Sequence, residues 1–487
     1  MSMQFSFNEG RAPGDGAAEG GNRPNDARPF RILVIADFSG RASRGTVEPL
    51  TGRKPVRVDL DKLDELPGEF GTTVRLPARG GVEIPLSSID DLHPDAIYDH
   101  CELFAALRDL RKRARDPGSY QAVAEEVRGW ATLGTPPASQ IETKPKAVGT
   151  PESEFASLLS GSMSAKPASA QRAAASIDSL LKQIVGPHIV PDRDPEQTEL
   201  IEAIETSIAD EMRAVLRDPD WRRTEAAWRG LHTLVTGIEL DETLELFAID
   251  ASNDELAAHG PDLEHAIVTA TTQTAGGIPW ALVLHLERHT PDSLDALAHL
   301  AALAHRGGAV LASGVTPHTA GIADLTRAPN PADWGEPADA LASLADSPAA
   351  DAVCLTCPGM LLRIPFGPRS DEIDRFEFDE IKGDPTDHDL LWGSGAVAVG
   401  LALGNAFTAV GWQAEPVGGA TIDDLPVIPT ENGESMHPCA QTWLSDRASA
   451  ALQKRGITPL VSVQHRGALQ IAGLRAINGQ PLTCRWG

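Results

Sequence analysis

Positive charge is what this chain has too little of: 42 Lys and Arg stand against 69 Asp and Glu, leaving a formal net charge of −27. Such a surface repels nucleic acid and anionic lipid, and it attracts a basic partner instead. Cysteine is scarce as well. Five in 487 residues make no dense disulfide framework, and the odd number suits a reducing compartment, so the expected location is cytoplasmic. No apolar run reaches the ~18 residues that suggest a membrane span, and the N-terminus lacks the basic and apolar regions of a signal peptide. No membrane insertion is expected. The Gly-x4-Gly-Lys-Ser/Thr loop that cradles phosphates, the Gly-x-Ser-x-Gly elbow and the Gly-x-Gly-x-x-Gly fingerprint are all missing. What is present is long enough for two or three domains and rich in turn formers, with 44 Gly and 37 Pro.

The first residues alternate, so Met3, Phe5 and Phe7 share one face of a short strand, and residues 8–27 read as a flexible tether. Ile32 to Ala36 is continuously apolar and β-branched, as a strand buried on both faces should be; it ends at Asp37-Phe-Ser-Gly40. Pro55 to Leu60 alternates like a half-exposed strand, and Thr73–Pro77 with Val82–Leu86 reads as a hairpin across Gly80-Gly81. Between Cys101 and Arg115 the period becomes helical: Leu103, Phe104, Leu107 and Leu110 form one stripe, and arginines fill the other face and the last turn. Asp116-Pro-Gly118 stops that helix.

Pro, Ala, Ser, Thr, Gly and Lys then dominate as far as residue 175, which marks a linker. Inside it, Phe155, Leu158 and Leu159 fall on one face of a short helix, and Ile177, Leu180, Leu181, Ile184 and Val185 make a second stripe. Leu200, Ile204, Ile208, Met212 and Leu216 step along a longer helix that Pro219 ends or kinks. A further helix carries Trp221, Trp228 and Leu231, with Glu225 and Arg229 one turn apart and able to pair. Pro279–His285 and Gly307–Ser313 read as buried strands around a helix ending at His305, a βαβ order that calls for a parallel or mixed sheet with helices on its faces. Leu474 to Trp486 reads as a hairpin turned at Asn478-Gly479.

Three constellations have the outward form of chemistry. Asp37-Phe-Ser39 resembles the start of a hard-cation site, but Arg41 breaks the pattern, so a turn held by Asp and Ser side chains is the preferred reading. Cys354-Leu-Thr-Cys357 has half-site spacing without a second pair, which favours buried small hydrophobes. His285 and His289 lie on a strand, where that spacing holds two rings too far apart to share an ion, so surface or second-layer histidines are expected. No catalytic, cofactor-binding or metal-binding residue is assigned, and no cofactor is expected. Asp371, Glu372, Asp374, Glu377, Asp379 and Glu380 read as a solvated face, with a basic partner as the alternative.

Two segments carry a family likeness. Arg28-Pro-Phe-Arg-Ile-Leu-Val-Ile-Ala-Asp-Phe-Ser-Gly-Arg41, with Ile89-Asp-Asp-Leu-His-Pro-Asp-Ala-Ile-Tyr98, resembles the small subunit of the type VI secretion contractile sheath. Asp220-Trp-Arg-Arg-Thr-Glu-Ala-Ala-Trp-Arg-Gly-Leu-His-Thr-Leu-Val235 is similar to the large subunit. Later stretches follow in the large-subunit order, among them Leu361–Gly367, His388–Gly393, Met436–Ala440 and Arg455–Leu460. The resemblance implies an α/β, sheath-like fold: mixed β-sheets flanked by helices, with two halves packed together. The expected division is 1–27 strand and tether, 28–130 small-subunit-like, 131–175 linker and 176–487 large-subunit-like. The large subunit normally continues into a further C-terminal domain beyond the point matched near Leu474, and that domain is expected to be lacking here.

The function implied is a non-enzymatic subunit of a contractile sheath, assembling by edge-strand exchange around an inner tube. Expected partners are copies of the chain or other sheath subunits, the tube protein and baseplate components. Met3, Phe5 and Phe7 would supply the exchanged strand, and Phe155, Leu158 and Leu159 would resemble a helix recognised by a Clp-type disassembly ATPase, although packing onto the following domain is the preferred reading of that short apolar stripe. Two alternatives stay open: a non-polymerising adaptor or cap at a baseplate or sheath end, and a metal-dependent or redox enzyme.

Overall fold

A strand from the first tenth of the chain lies in the interior of a sheet built mostly from the second half. In a computed structural model of the protein, residues 28–131, 177, 180–188, 197–323, 325, 329–414, 419–430 and 435–482 are described. The strands are β1 Phe30–Ala36, β2 Val56–Val58, β3 Thr73–Leu76, β4 Val82–Pro85, β5 Leu244–Asp250, β6 Leu282–His289 and β7 Val310–Val315. They continue with β8 Val353–Cys357, β9 Met360–Leu361, β10 Trp392–Gly393, β11 Thr421–Ile422, β12 Ile457–Ser462 and β13 Leu469–Ile471. Nine of them form one mixed sheet in the order β11-β13-β12-β8-β7-β6-β1-β5-β2. The six from β12 to β5 run parallel, and β2, β13 and β11 pair antiparallel at the two ends.

The apolar run of β1 follows from this position. Phe30 to Ala36 lies opposite Leu244 to Asp250 on one side, and Ile32 to Ile35 lies opposite Leu282 to His285 on the other. From Ile32 to Ile35 both edges are paired and both faces covered, so no position there favours a polar side chain, whereas Arg31 is only partly buried and pairs with Glu245. Leu33 and Ile35 enter a core shared with Val283, Leu297, Leu300, Leu311 and Leu355. Each such side chain contributes roughly 1.5–3 kcal/mol by leaving water. The β3–β4 hairpin forms as the two glycines predict, with Gly80 and Gly81 both at positive φ.

Helices cover the sheet on both sides. Ala396–Val410 packs on Pro219–Gly237, β6 and β7, with nearly every residue from Ala396 to Phe407 buried. The stretch 396–413 is long and apolar enough to cross a membrane by length and composition, which corrects the reading that no such run exists; 61% of it is buried inside the protein, as befits a core helix. Pro219 does not end the preceding helix, which stops at Leu216. It occupies the first turn of the next one, where its missing N–H costs nothing, and the Asp218 carboxylate accepts from the amides of Asp220 and Trp221.

The chain divides into two units, one of residues 1–76, 83–97 and 213–487, the other of 77–82 and 98–212. The sheet belongs to the first. In the second, Glu102–Arg115 buries Leu103, Phe104, Leu107 and Leu110 as its period requires. Arg111 and Arg115 both reach Glu205, at 2.9 and 2.6 Å. In the stripe at 177–185, Leu180 and Val185 are buried.

Candidate functional site

The carboxyl ends of β1 and β5 meet in a polar junction built by the Asp37–Arg41 turn. Both oxygens of Asp37 accept backbone amides, from Arg41 at 2.8 Å and Ala42 at 2.9 Å, and so cap the short helix Arg41–Arg44. Ser39 donates to Asp250 twice, through its amide at 2.9 Å and its hydroxyl at 2.8 Å. The Arg41 guanidinium adds a third bond to Asp250 at 3.0 Å. In the same junction, Arg53 grips Glu255 through two nitrogens, at 2.9 and 2.6 Å. The lone pairs that a hard cation needs are already taken, and a guanidinium lies among them. Burial pushes the Asp37 carboxyl up, against the pull of its amide donors.

Aromatic packing closes the junction. Trp228 Nε1 donates to the Phe38 carbonyl at 2.9 Å, and the two rings lie 4.9 Å apart, within the range of favourable tilted pairs. Gly40 makes the turn possible. It has φ 74°, and a Cβ there would stand 2.6 Å from the Thr73 carbonyl oxygen.

A second junction joins the Leu92–Asp95 motif to residues 363–380. The Asp95 carboxylate accepts the amides of Asp374 and Arg375, both at 3.0 Å, while the His93 ring meets Phe366 edge-on at 5.1 Å. Beneath them lies a buried ionic quartet. Glu225 accepts from Arg229 at 2.7 Å and from Arg363 at 2.6 Å, and Arg363 also binds Glu380 through two nitrogens, at 2.7 and 3.0 Å. Glu380 in turn accepts the Phe366 amide at 2.8 Å. Burial opposes ionisation of Glu225, yet the Arg363 and Arg229 guanidiniums hold it below the usual carboxylate range. Burial likewise opposes the charge on Arg363, and Glu225 and Glu380 overcome it. The Glu225–Arg229 pair expected from helical spacing is present; its continuation to Arg363 and Glu380 has no local signal.

Several expectations change. Glu380 is 3% exposed, so it does not belong to a solvated face, although Asp371, Glu372, Asp374 and Glu377 do lie exposed. His285 and His289 are both buried, and His285 Nδ1 lies 3.0 Å from His289 Nε2. They are neither on the surface nor too far apart: the β6–β7 register shifts between His285 and Arg288, and this irregularity lets the two rings meet. His289 Nδ1 sits 3.0 Å from the Ser293 carbonyl. Burial, with the neighbouring ring second, holds His285 well below the usual histidine value, and burial lowers His289 to about 4. Cys354 and Cys357 are buried on β8, where desolvation pushes their thiols up to about 11 and 12. Met3, Phe5, Phe7, Phe155, Leu158 and Leu159 lie outside the described residues.

Both junctions tie the first 100 residues to the second half of the chain, and the family matches divide along the same line. The family model VipB, tail sheath N-terminal domain, matches residues 198–478. The chain belongs to the VipB tail sheath family. A second model, VipA of the type VI secretion system, matches residues 17–128, so this VipB-family chain carries both sheath segments in one polypeptide. It is also 25% identical over 356 residues to the type VI secretion system sheath protein TssC1 of Pseudomonas aeruginosa, an alignment that covers 67% of this chain and 70% of that protein. In VipB-family terms, β1, the Asp37–Arg41 turn and the Leu92–Asp95 motif come from the VipA segment, while β5, β6, Trp228 and the ionic quartet come from the VipB segment. The protein is a structural sheath subunit of the type VI secretion class in which the seam between the two segments is internal.

Proposed function

We propose that this chain is a non-enzymatic, cytoplasmic building block of a contractile sheath in which the small-subunit and large-subunit roles are fused. The division proposed is strand and tether over 1–27, small-subunit-like 28–130, linker 131–175 and large-subunit-like 176–487. One observation carries the reading: β1 of the VipA segment is hydrogen-bonded between β5 and β6 of the VipB segment, so neither segment completes the sheet alone. Fusion fixes the two at equal numbers and makes their association intramolecular.

Copies of the chain join by edge-strand exchange, with Met3, Phe5 and Phe7 pairing on a neighbour while residues 8–27 absorb the motion of contraction. The polymer surrounds an inner tube and meets baseplate components, and Phe155, Leu158 and Leu159 are offered to a Clp-type disassembly ATPase. Electron microscopy of the purified protein, alone and with tube protein, should show tubules or rings. A particle that stays monomeric under both conditions overturns the reading. Deleting residues 1–10 should abolish polymers while leaving the far-ultraviolet circular dichroism unchanged, and unaltered polymers would rule out the exchanged strand.

A further inference from the structure

Beside the point where the strand order reverses about β1, at the carboxyl ends of β6 and β7, lies a cavity of about 260 Å³. Crevices at this place in open α/β sheets are where ligands commonly bind. The polar wall is unusual for a chain of net charge −27: Arg222, Arg223 and Arg288 all line it, with Glu287, Trp392 and Ser394. Arg223 is neutralised by Asp220 at 2.8 Å. The other two make no such close ion pair. Arg222 donates to the Leu390 carbonyl at 2.8 Å, Arg288 donates to the side-chain oxygen of Gln441, and the Arg288 Nε is buried with no hydrogen-bond partner. Among the described residues, no ion pair joins a carboxylate to either guanidinium.

A further counter-charge is favourable here, because Glu380, Glu225 and Asp389 around Arg222, and Asp387 and Glu287 around Arg288, offset the cost of burying these guanidiniums only in part. Glu287 does so poorly, because burial pushes its carboxyl up towards the neutral form. The fold also keeps space for the cation: a Cβ at residue 359 would stand 3.0 Å from both Cζ and Nε of Arg288, so Gly359 leaves the slot through which this guanidinium reaches the cavity. We propose that the cavity is a binding site for a small oxyanion, a carboxylate or phosphate group, held between Arg288 and Arg222 with Trp392 and Leu390 against its apolar part. Arg supplies the forked donor geometry that such groups match.

The test uses the full chain and two ligands, inorganic phosphate and benzoate, in calorimetric titrations at constant ionic strength. Saturable binding of at least one is expected, and the one that binds identifies the anion class. Arg288→Gln and Arg222→Gln should each weaken it by about tenfold or more, the loss of a charged hydrogen bond. Arg113→Gln, which removes a surface cation paired with Asp109 and Glu126, should leave binding unchanged. Circular dichroism checks the fold of each variant, and if Arg288→Gln does not fold, Arg222→Gln decides alone. No saturable binding of either anion, or equal binding by a folded arginine variant of the cavity, overturns the proposal.

Discussion

Trp228 and Phe38 are 190 residues apart in sequence, yet the indole N–H of one donates to the carbonyl of the other at 2.9 Å. Both residues are wholly buried. This is where the VipA segment is held to the helix that carries the VipB tryptophans.

Trp228→Phe keeps an aromatic ring but removes the donor. The Phe38 carbonyl retains the Thr72 hydroxyl at 3.0 Å, so it is not orphaned, and the expected cost is about 1 kcal/mol. Trp228→Ala also opens a cavity and should cost about 3–5 kcal/mol. Denaturant midpoints at unchanged slope measure both, and an unchanged midpoint for Trp228→Phe would show that the hydrogen bond contributes nothing.

Gly40→Ala should cost about 2 kcal/mol or more, since φ 74° disfavours a side chain and the new Cβ meets the Thr73 carbonyl. Thermal unfolding reads the loss. An unchanged midpoint would mean that the Asp37–Arg41 turn relaxes without affecting the sheet.

Arg363→Met leaves Glu225 and Glu380 without their shared counter-charge in the interior, and a loss of about 3–5 kcal/mol is expected. Adding Glu380→Gln should restore part of it, because the stranded charge rather than the lost contact is the larger penalty. A double-mutant cycle in urea shows this as strong non-additivity, and simple additivity would refute the coupling.

Acid should weaken the fold through the His285–His289 pair. His289 titrates at about 4 when folded and near 6.5 when unfolded, so the unfolded chain takes up the proton first. Stability present above about pH 6.5 is therefore lost as pH falls towards 4, by about 2 kcal/mol at pH 5 from this residue. The double variant His285→Gln, His289→Gln should flatten that part of the urea-midpoint profile between pH 7 and 5. A parallel profile would mean that the pair does not govern the loss.

How much of this was legible depended on whether the signal was local. The run Ile32 to Ala36 announces a strand buried on both faces, and the Trp221–Trp228–Leu231 spacing announces a packed helix, because burial imposes a period on neighbouring residues. The tie of the VipA segment to the VipB segment was legible from their motifs. That β1 enters the interior of the other segment's sheet was not, since an apolar strand does not name its neighbours. Arg363 and Glu380 gave no warning either: Glu225, which Arg363 joins to Glu380, is far away in sequence, and charged residues in loops usually face water. The meeting of His285 and His289 depends on a register shift that leaves no trace in composition.

The interior position of β1 also determines how the molecule bears a pull. Its partners on both sides run parallel to it, so tension along the strand strains many hydrogen bonds at once in shear, instead of unzipping them one after another from an end. An edge strand such as β2, bonded on one side only, offers no such grip. A sheath must transmit force without shedding parts, and here the small-subunit segment is secured at the place where the sheet resists extraction most strongly.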